Sequence, residues 1–260
     1  MGGLVGGFPL LTLLVGIAFL SGVGITTLGP GGIFVTIALY SLTSIPSSTV
    51  AGTAHATFIA TGVVGSVAYA HSGEIQTGQG RLIATILSLS SAIGAPLGAY
   101  LNAFLPRTTF GVLLGVVAMA TGGTIIYRER RRLSPVYQLD AADRRDQILL
   151  GGIGLVLGAV SGALGVGGPV LAVPVLILIG VPMLLAIAVA QLQSIFIAAF
   201  ATTGYVLQGD VSLPLAATIG IPLLAGTVVG WKVAHVVNPD NLTIALGVVL
   251  IAVGPALAFH

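Results

Sequence analysis

The chain has 260 residues, of which 56% are hydrophobic and only 6% charged, with a formal net charge of +2. A soluble domain carries about a quarter charged residues, so this composition excludes a water-facing surface and points to a polytopic membrane protein. With no cysteine there is no disulfide framework, thiolate metal site or cysteine nucleophile. His55, His71, His235 and His260 are too scattered for a metal motif, so no metal or other cofactor is expected.

A helix needs about 20 residues to cross about 30 Å of hydrocarbon. Gly and Pro divide the apolar background into segments at 5–27, 32–45, 48–70, 82–102 and 109–127, then at 148–164, 169–181, 184–207, 211–233 and 242–259. The N-terminal run Met1-Gly-Gly-Leu-Val-Gly-Gly lacks the basic region of a secretory signal, so the first segment counts as membrane-spanning. Residues 1–127 read as one transmembrane repeat, 128–147 as a basic cytoplasmic linker, and 148–260 as a second transmembrane repeat.

The repeat is visible in the residues themselves. Leu28 to Ile75 aligns without a gap on Leu164 to Val211 at an offset of 136, with ten of 48 positions identical. In so apolar a chain the count alone is weak, but the matches fall on turn residues. Leu28 to Gly32 (L-G-P-G-G) falls on Leu164 to Gly168 (L-G-V-G-G), and Pro46 on Pro182. Tyr69, Gly73 and Glu74 fall on Tyr205, Gly209 and Asp210. After a four-residue adjustment, Leu114-Gly-Val-Val matches Leu246-Gly-Val-Val.

Six of the nine basic residues, Arg128, Arg130, Arg131, Arg132, Arg144 and Arg145, lie in the linker. Basic residues near membrane ends favour the cytoplasm, which places the linker inside. Counting passes from there puts the turn from His71 to Arg81 and Lys232 inside, and Arg107 and the turn from Gln208 to Asp210 outside. Five passes per repeat is odd, so the second copy enters the membrane upside down. The expected fold class is all-α: a polytopic transmembrane helix bundle with two inverted-topology repeats, each including a short helix after a Gly-rich break. Such repeats are the plan of many secondary transporters, with the site near the midplane where the halves meet.

Gly29, Gly31 and Gly32, and their counterparts Gly165, Gly167 and Gly168, interrupt the apolar run before a segment too short to span comfortably. Two helix N-termini with free backbone N–H groups would form an anion cradle. The plainer reading is that these glycines permit close helix packing. The next segment carries His55 and Thr57 in the first half and Gln191 and Gln193 in the second. Polar groups at this depth suggest a cavity lining, or hydrogen bonds that hold helices together. His55 would donate to an anion when neutral or carry a proton when charged. Glu74 and Asp210 read as local turn or cap residues, with a gating role as the alternative. Tyr69 and Tyr205 read as members of interfacial aromatic belts.

On the G-x-G-G loop, the short segment and following proline (Gly29 to Pro46, Gly165 to Pro182), their repetition and the basic central loop, the sequence resembles the sulfite exporter TauE/SafE family of membrane permeases. The resemblance implies transport of sulfite, thiosulfate, an organosulfonate or a related anion across a prokaryotic plasma membrane. The halves differ at Pro30 against Val166 and at His55 against Gln191.

The expected function is therefore a secondary transporter, exporting a small sulfur-containing anion by alternating access, with an anion channel as the alternative. A coupling proton or cation and a homo-oligomer are compatible with this reading, and the lipid bilayer is its surroundings. Nucleic acid is not an expected partner. No nucleophile with a base, metal cluster or carboxylate pair falls at membrane depth, so an enzyme is not expected.

Overall fold

The computed structural model describes residues 7–71, 74–131, 139–234 and 239–258. With no water to satisfy backbone groups in hydrocarbon, each apolar run must bond its own N–H and C=O groups. Ten helices result among the described residues, with no strand. The first half contains α1 (Phe8–Thr27), α2 (Ile33–Leu42), α3 (Ser47–His71), α4 (Gly78–Asn102) and α5 (Arg107–Arg131). The second contains α6 (Arg144–Leu164), α7 (Gly168–Leu178), α8 (Met183–Gln208), α9 (Leu213–Ala234) and α10 (Pro239–Ala258).

Among the described residues seven helices, α1, α3, α4, α5, α6, α8 and α9, are long and apolar enough to cross a membrane. By contrast α2 has 10 residues and α7 has 11, about 15 Å of helix each at 1.5 Å per residue. The ends follow the punctuation. Pro182 precedes α8, and Gly209 ends it with φ 78° while the Asp210 N–H bonds Tyr205 O at 2.8 Å, a glycine-terminated helix end. Thr77 caps α4 by accepting the Gly80 N–H at 3.0 Å, which starts that helix four residues before the sequence reading placed it. Asp143 caps α6 by accepting the Arg145 N–H at 3.1 Å. Consequently α5 and α6 each reach into the polar segment assigned to the linker.

Packing pairs the two halves throughout. α1 lies against α9, α4 against α6, α5 against α10, and α3 against α8, while α8 also touches α4 and α3 touches α9. Exchanging the halves turns the α1–α9 pair into α6–α4 and the α3–α9 pair into α8–α4, and leaves α3–α8 and α5–α10 unchanged. Each half therefore packs mainly on the other half. The closest seams use small residues: a Cβ at Gly98 would lie 2.7 Å from Ala163 N, and one at Gly158 2.7 Å from Ser91 Cα. Backbone approach of this kind replaces the hydrophobic drive that lipid removes. Large apolar side chains such as Leu20, Ile93, Leu207 and Ile221 remain exposed on the outside, as a lipid-facing surface requires.

Candidate functional site

The two glycine-rich breaks fold differently. In the first, Gly29 has φ 96° and Pro30–Gly32 forms a 3-10 turn leading into α2. Proline at position 30 holds φ near −65°, which suits that turn. In the second, Val166 stands at the equivalent place, Gly165 ends α6 in the left-handed conformation (φ 67°), and Gly167 has φ 77° before α7 begins at Gly168. A side chain is strained at these positive φ values. Space demands glycine as well: a Cβ at Gly165 would lie 2.6 Å from Ala51 Cα, and one at Gly31 would meet the backbone of Gly24 and Ile25.

The two breaks face one another across the Phe58 ring. A Cβ added at Gly32 or at Gly167 would touch that ring at 3.4 Å from either side. Beside it lies a small cavity of about 10 Å³, lined by Ile25, Gly29, Gly32, Phe58 and Thr61 from the first half and by Val166, Gly167, Pro169, Val170, Gln191 and Ser194 from the second. That volume matches about one water molecule. The start of α7 is partly occupied, since the Gly168 N–H bonds Ser194 Oγ at 3.4 Å. Of the residues named from sequence, Gly29, Gly32, Gly167 and Gln191 line the cavity, while Gly31, Gly165 and Gly168 shape the loops behind it.

Gln191 reaches from the cavity to the end of α1, whereas His55, expected from sequence to line the cavity, does not line it and reaches the end of α6. The Gln191 amide donates to Ile25 O at 2.9 Å, and His55 Nε2 lies 3.0 Å from Ser161 O. Ile25 and Ser161 are themselves equivalent at the 136-residue offset. Tyr69 and Tyr205 complete the pattern: their hydroxyls donate to Thr26 O at 2.8 Å and to Gly162 O at 2.9 Å, each bond spanning 43 residues. Each half therefore receives two side-chain donors at the final turn of the helix before its glycine break, where Ile25 O and Ser161 O also keep the backbone N–H groups of Gly29 and Gly165.

This corrects the reading of Tyr69 and Tyr205 as interfacial aromatics. Tyr69 is 5% and Tyr205 0% exposed, because a buried phenol hydroxyl takes the partner that a helix end offers.

Thr57 and Gln193 point elsewhere. Two residues beyond His55 and Gln191, they are turned by about 200° around the helix. Thr57 bonds its own Ala54 O at 2.7 Å and packs near Gly220 of α9. Gln193 donates to Ser91 Oγ of α4 at 2.6 Å. Neither lines the cavity, and each occupies the equivalent helix interface in its half.

Two charged groups at the ends of the bundle also have defined partners. Arg107, read from sequence only as a basic residue on the outer face, donates to Tyr40 O at 2.5 Å, to Thr43 O at 2.8 Å and to Ile45 O, with its guanidinium 4.5 Å from the Tyr40 ring centre. It thereby caps the C-terminal end of α2, a favourable place for a cation. The planar fork cannot be inferred from position 107 alone, since its partners lie more than 60 residues earlier. Asp210 accepts from the Thr49 hydroxyl in the first turn of α3 at 3.3 Å, so it joins the halves instead of capping its own next helix. Gly73, His235 and His260, and the side chains of His71 and Glu74, lie outside what the structure describes.

Among the described residues, no His, Asp or Glu cluster is suited to a metal ion. The family model described as Sulfite exporter TauE/SafE matches residues 13–257. The chain is also 24% identical over 223 residues, covering 85% of this chain and 89% of the relative, to the "Probable membrane transporter protein YdhB" of Bacillus subtilis (strain 168). No solved structure matches. Matched from α1 into α10, this multi-pass helical chain belongs to the sulfite exporter TauE/SafE family, a family of membrane transporters.

Proposed function

We propose that the protein is a secondary transporter that moves sulfite, or a related anion such as thiosulfate or an organosulfonate, across a prokaryotic plasma membrane by alternating access. The basic linker faces the cytoplasm in this reading, and the exchange symmetry of the helix pairs supports two inverted repeats. The observation that carries the proposal is the meeting of the two glycine breaks, one from each half, across Phe58 at a cavity bordered by Gln191 and Ser194. Short helices that begin at such breaks turn their positive ends toward an anion.

No charged side chain lines the cavity, so binding would rest on backbone N–H groups, an amide and a hydroxyl. That favours reversible capture over tight retention, as a carrier needs. At about 10 Å³ the cavity is far too small for a sulfur oxyanion, which supports a shape closed around the site that must open by movement of one half against the other. A channel would instead call for a standing wet path at the same seam.

The experiment is uptake of radiolabelled sulfite, thiosulfate and a small sulfonate into proteoliposomes, comparing wild type with Gln191→Ala. Saturable flux with trans-stimulation, abolished or strongly reduced in the variant, is expected. Flux that grows linearly with concentration would favour the channel, and no flux of any of the three would remove the sulfur-anion assignment.

A further inference from the structure

We infer that His55 is the proton-binding group of this transporter, taking up a coupling proton on Nδ1 while Nε2 holds the end of α6. The inference rests on the transport reading above and adds the ion that drives it.

The internal repeat isolates what the histidine contributes. Gln191 makes the equivalent bond to Ile25 O with an amide, so clasping the helix end requires a donor and nothing more. Histidine offers a donor too, but it is also the side chain whose charge ordinarily changes between about pH 5 and 8. One half thus has a clasp that cannot titrate and the other a clasp that can.

Geometry assigns the tautomer. Ser161 O accepts only, so the ring nitrogen 3.0 Å from it carries hydrogen, which leaves the lone pair of neutral imidazole on Nδ1. His55 is 0% exposed, and Nδ1 has no hydrogen-bond partner among the described residues. Nδ1 is therefore free to take a proton in the open phase, when water at the site can solvate the charge that burial would disfavour. A proton taken from hydronium converts the ring to imidazolium and leaves water; the reverse transfer to water on the other side completes the cycle.

Its neighbours allow this charge to act on the anion site. Phe58, one turn further along α3, has its ring centre 6.2 Å from that of His55 and stands between the glycine breaks. From α8 the Tyr205 ring stacks at 6.4 Å, and Asp210, in the turn after α8, bonds Thr49 earlier on α3. On α6 the charged groups Arg144, Arg145 and Asp146 lie at the start of the helix, about 22 Å or more from Ser161 at 1.5 Å per residue. The charged residues of α4 and α9, Arg81 and Lys232, lie at the first turn of one helix and the last turn of the other. Among the described residues His55 is therefore a side chain that can place positive charge one aromatic ring from the cavity, 6.2 Å from the centre of the cavity-lining Phe58 ring, and doing so would attract an anion there.

The test uses purified wild type and His55→Gln, which copies the clasp of the other half. With membrane potential clamped, wild-type proteoliposomes should build a sulfite gradient of about tenfold per pH unit for one proton per anion, since a pH unit is a tenfold driving force. His55→Gln should keep the wild-type size-exclusion profile, and whatever sulfite counterflow it retains should no longer respond to the pH gradient. A variant that still accumulates sulfite with the pH gradient overturns the inference. Nitrogen NMR of the wild-type histidine rings provides a second arm that requires neither the variant nor the substrate. The His55 signal is assigned by its loss in His55→Asn or, if that variant does not fold, by its correlation to the ring protons of Phe58. Proton uptake at Nδ1 as the pH is lowered, with Nε2 protonated throughout, supports the assignment; a ring that stays neutral down to the lowest pH at which the protein remains folded sinks it. If wild type carries no sulfite, the transport reading fails by itself and the NMR arm still decides the proton site.

Discussion

His55 of α3 and Gln191 of α8 hold equivalent carbonyls in opposite halves of the chain: Ser161 O at 3.0 Å and Ile25 O at 2.9 Å. Each side chain thereby ties a helix of the other half to its own, immediately before a glycine break. Any motion that separates the halves at the cavity must strain or exchange these two bonds.

Gln191→Leu should cost about 1 kcal/mol in stability, in the range of interhelical hydrogen bonds in membranes, because Ile25 O retains the Gly29 N–H at 3.2 Å. Transport should fall far more than stability, since the amide also lines the cavity. Thermal melting in detergent beside initial flux separates the two effects, and equal losses would show the glutamine to be packing alone.

Tyr69→Phe and Tyr205→Phe should behave alike. Each removes one buried hydroxyl donor from a helix-end carbonyl, at about 1 kcal/mol. Melting curves for both variants should shift downward by similar amounts. A shift confined to one of them would show that the two bonds are not energetically equivalent.

Gly31→Ala should prevent normal folding, because its Cβ would meet the Gly24 and Ile25 backbone, which cannot yield as a flexible side chain can. Gly123→Ala in α5 is the matched control: nothing lies within 4 Å of its added Cβ, and alanine favours a helix over glycine by about 0.5–1 kcal/mol. Monodisperse yield by size-exclusion chromatography should collapse for the first and hold for the second.

Arg107→Lys should destabilise the α2 end by about 1–3 kcal/mol, despite keeping the charge. One ammonium cannot reproduce a planar fork bonded to three carbonyls and laid over the Tyr40 ring. Protease sensitivity between α2 and α3, together with the melting temperature, reads out the change; a lysine variant as stable as wild type would mean that charge alone suffices.

The residues that begin and end helices were legible in the sequence because Gly, Pro and capping side chains act locally. Pro46 and Pro182, Gly165 and Gly209, and the apolar lengths between them define segments by what one stretch of backbone can bond to itself. The repeat was legible for the same reason, since the matched residues are those that turns constrain. Tertiary structure decided which way the side chains on those helices face. A shift of two positions separates His55 from Thr57 and Gln191 from Gln193, yet it turns one pair toward helix-end carbonyls and the other toward α9 and α4. The partners of Tyr69, Tyr205 and Arg107 lie 43 to 67 residues away, and such bonds depend on helix rotation and crossing that no local pattern encodes. The sequence by itself determined a helical membrane protein with two glycine-broken halves; only packing those halves together decided that their breaks meet at Phe58 and that the intervening polar side chains fasten one half to the other.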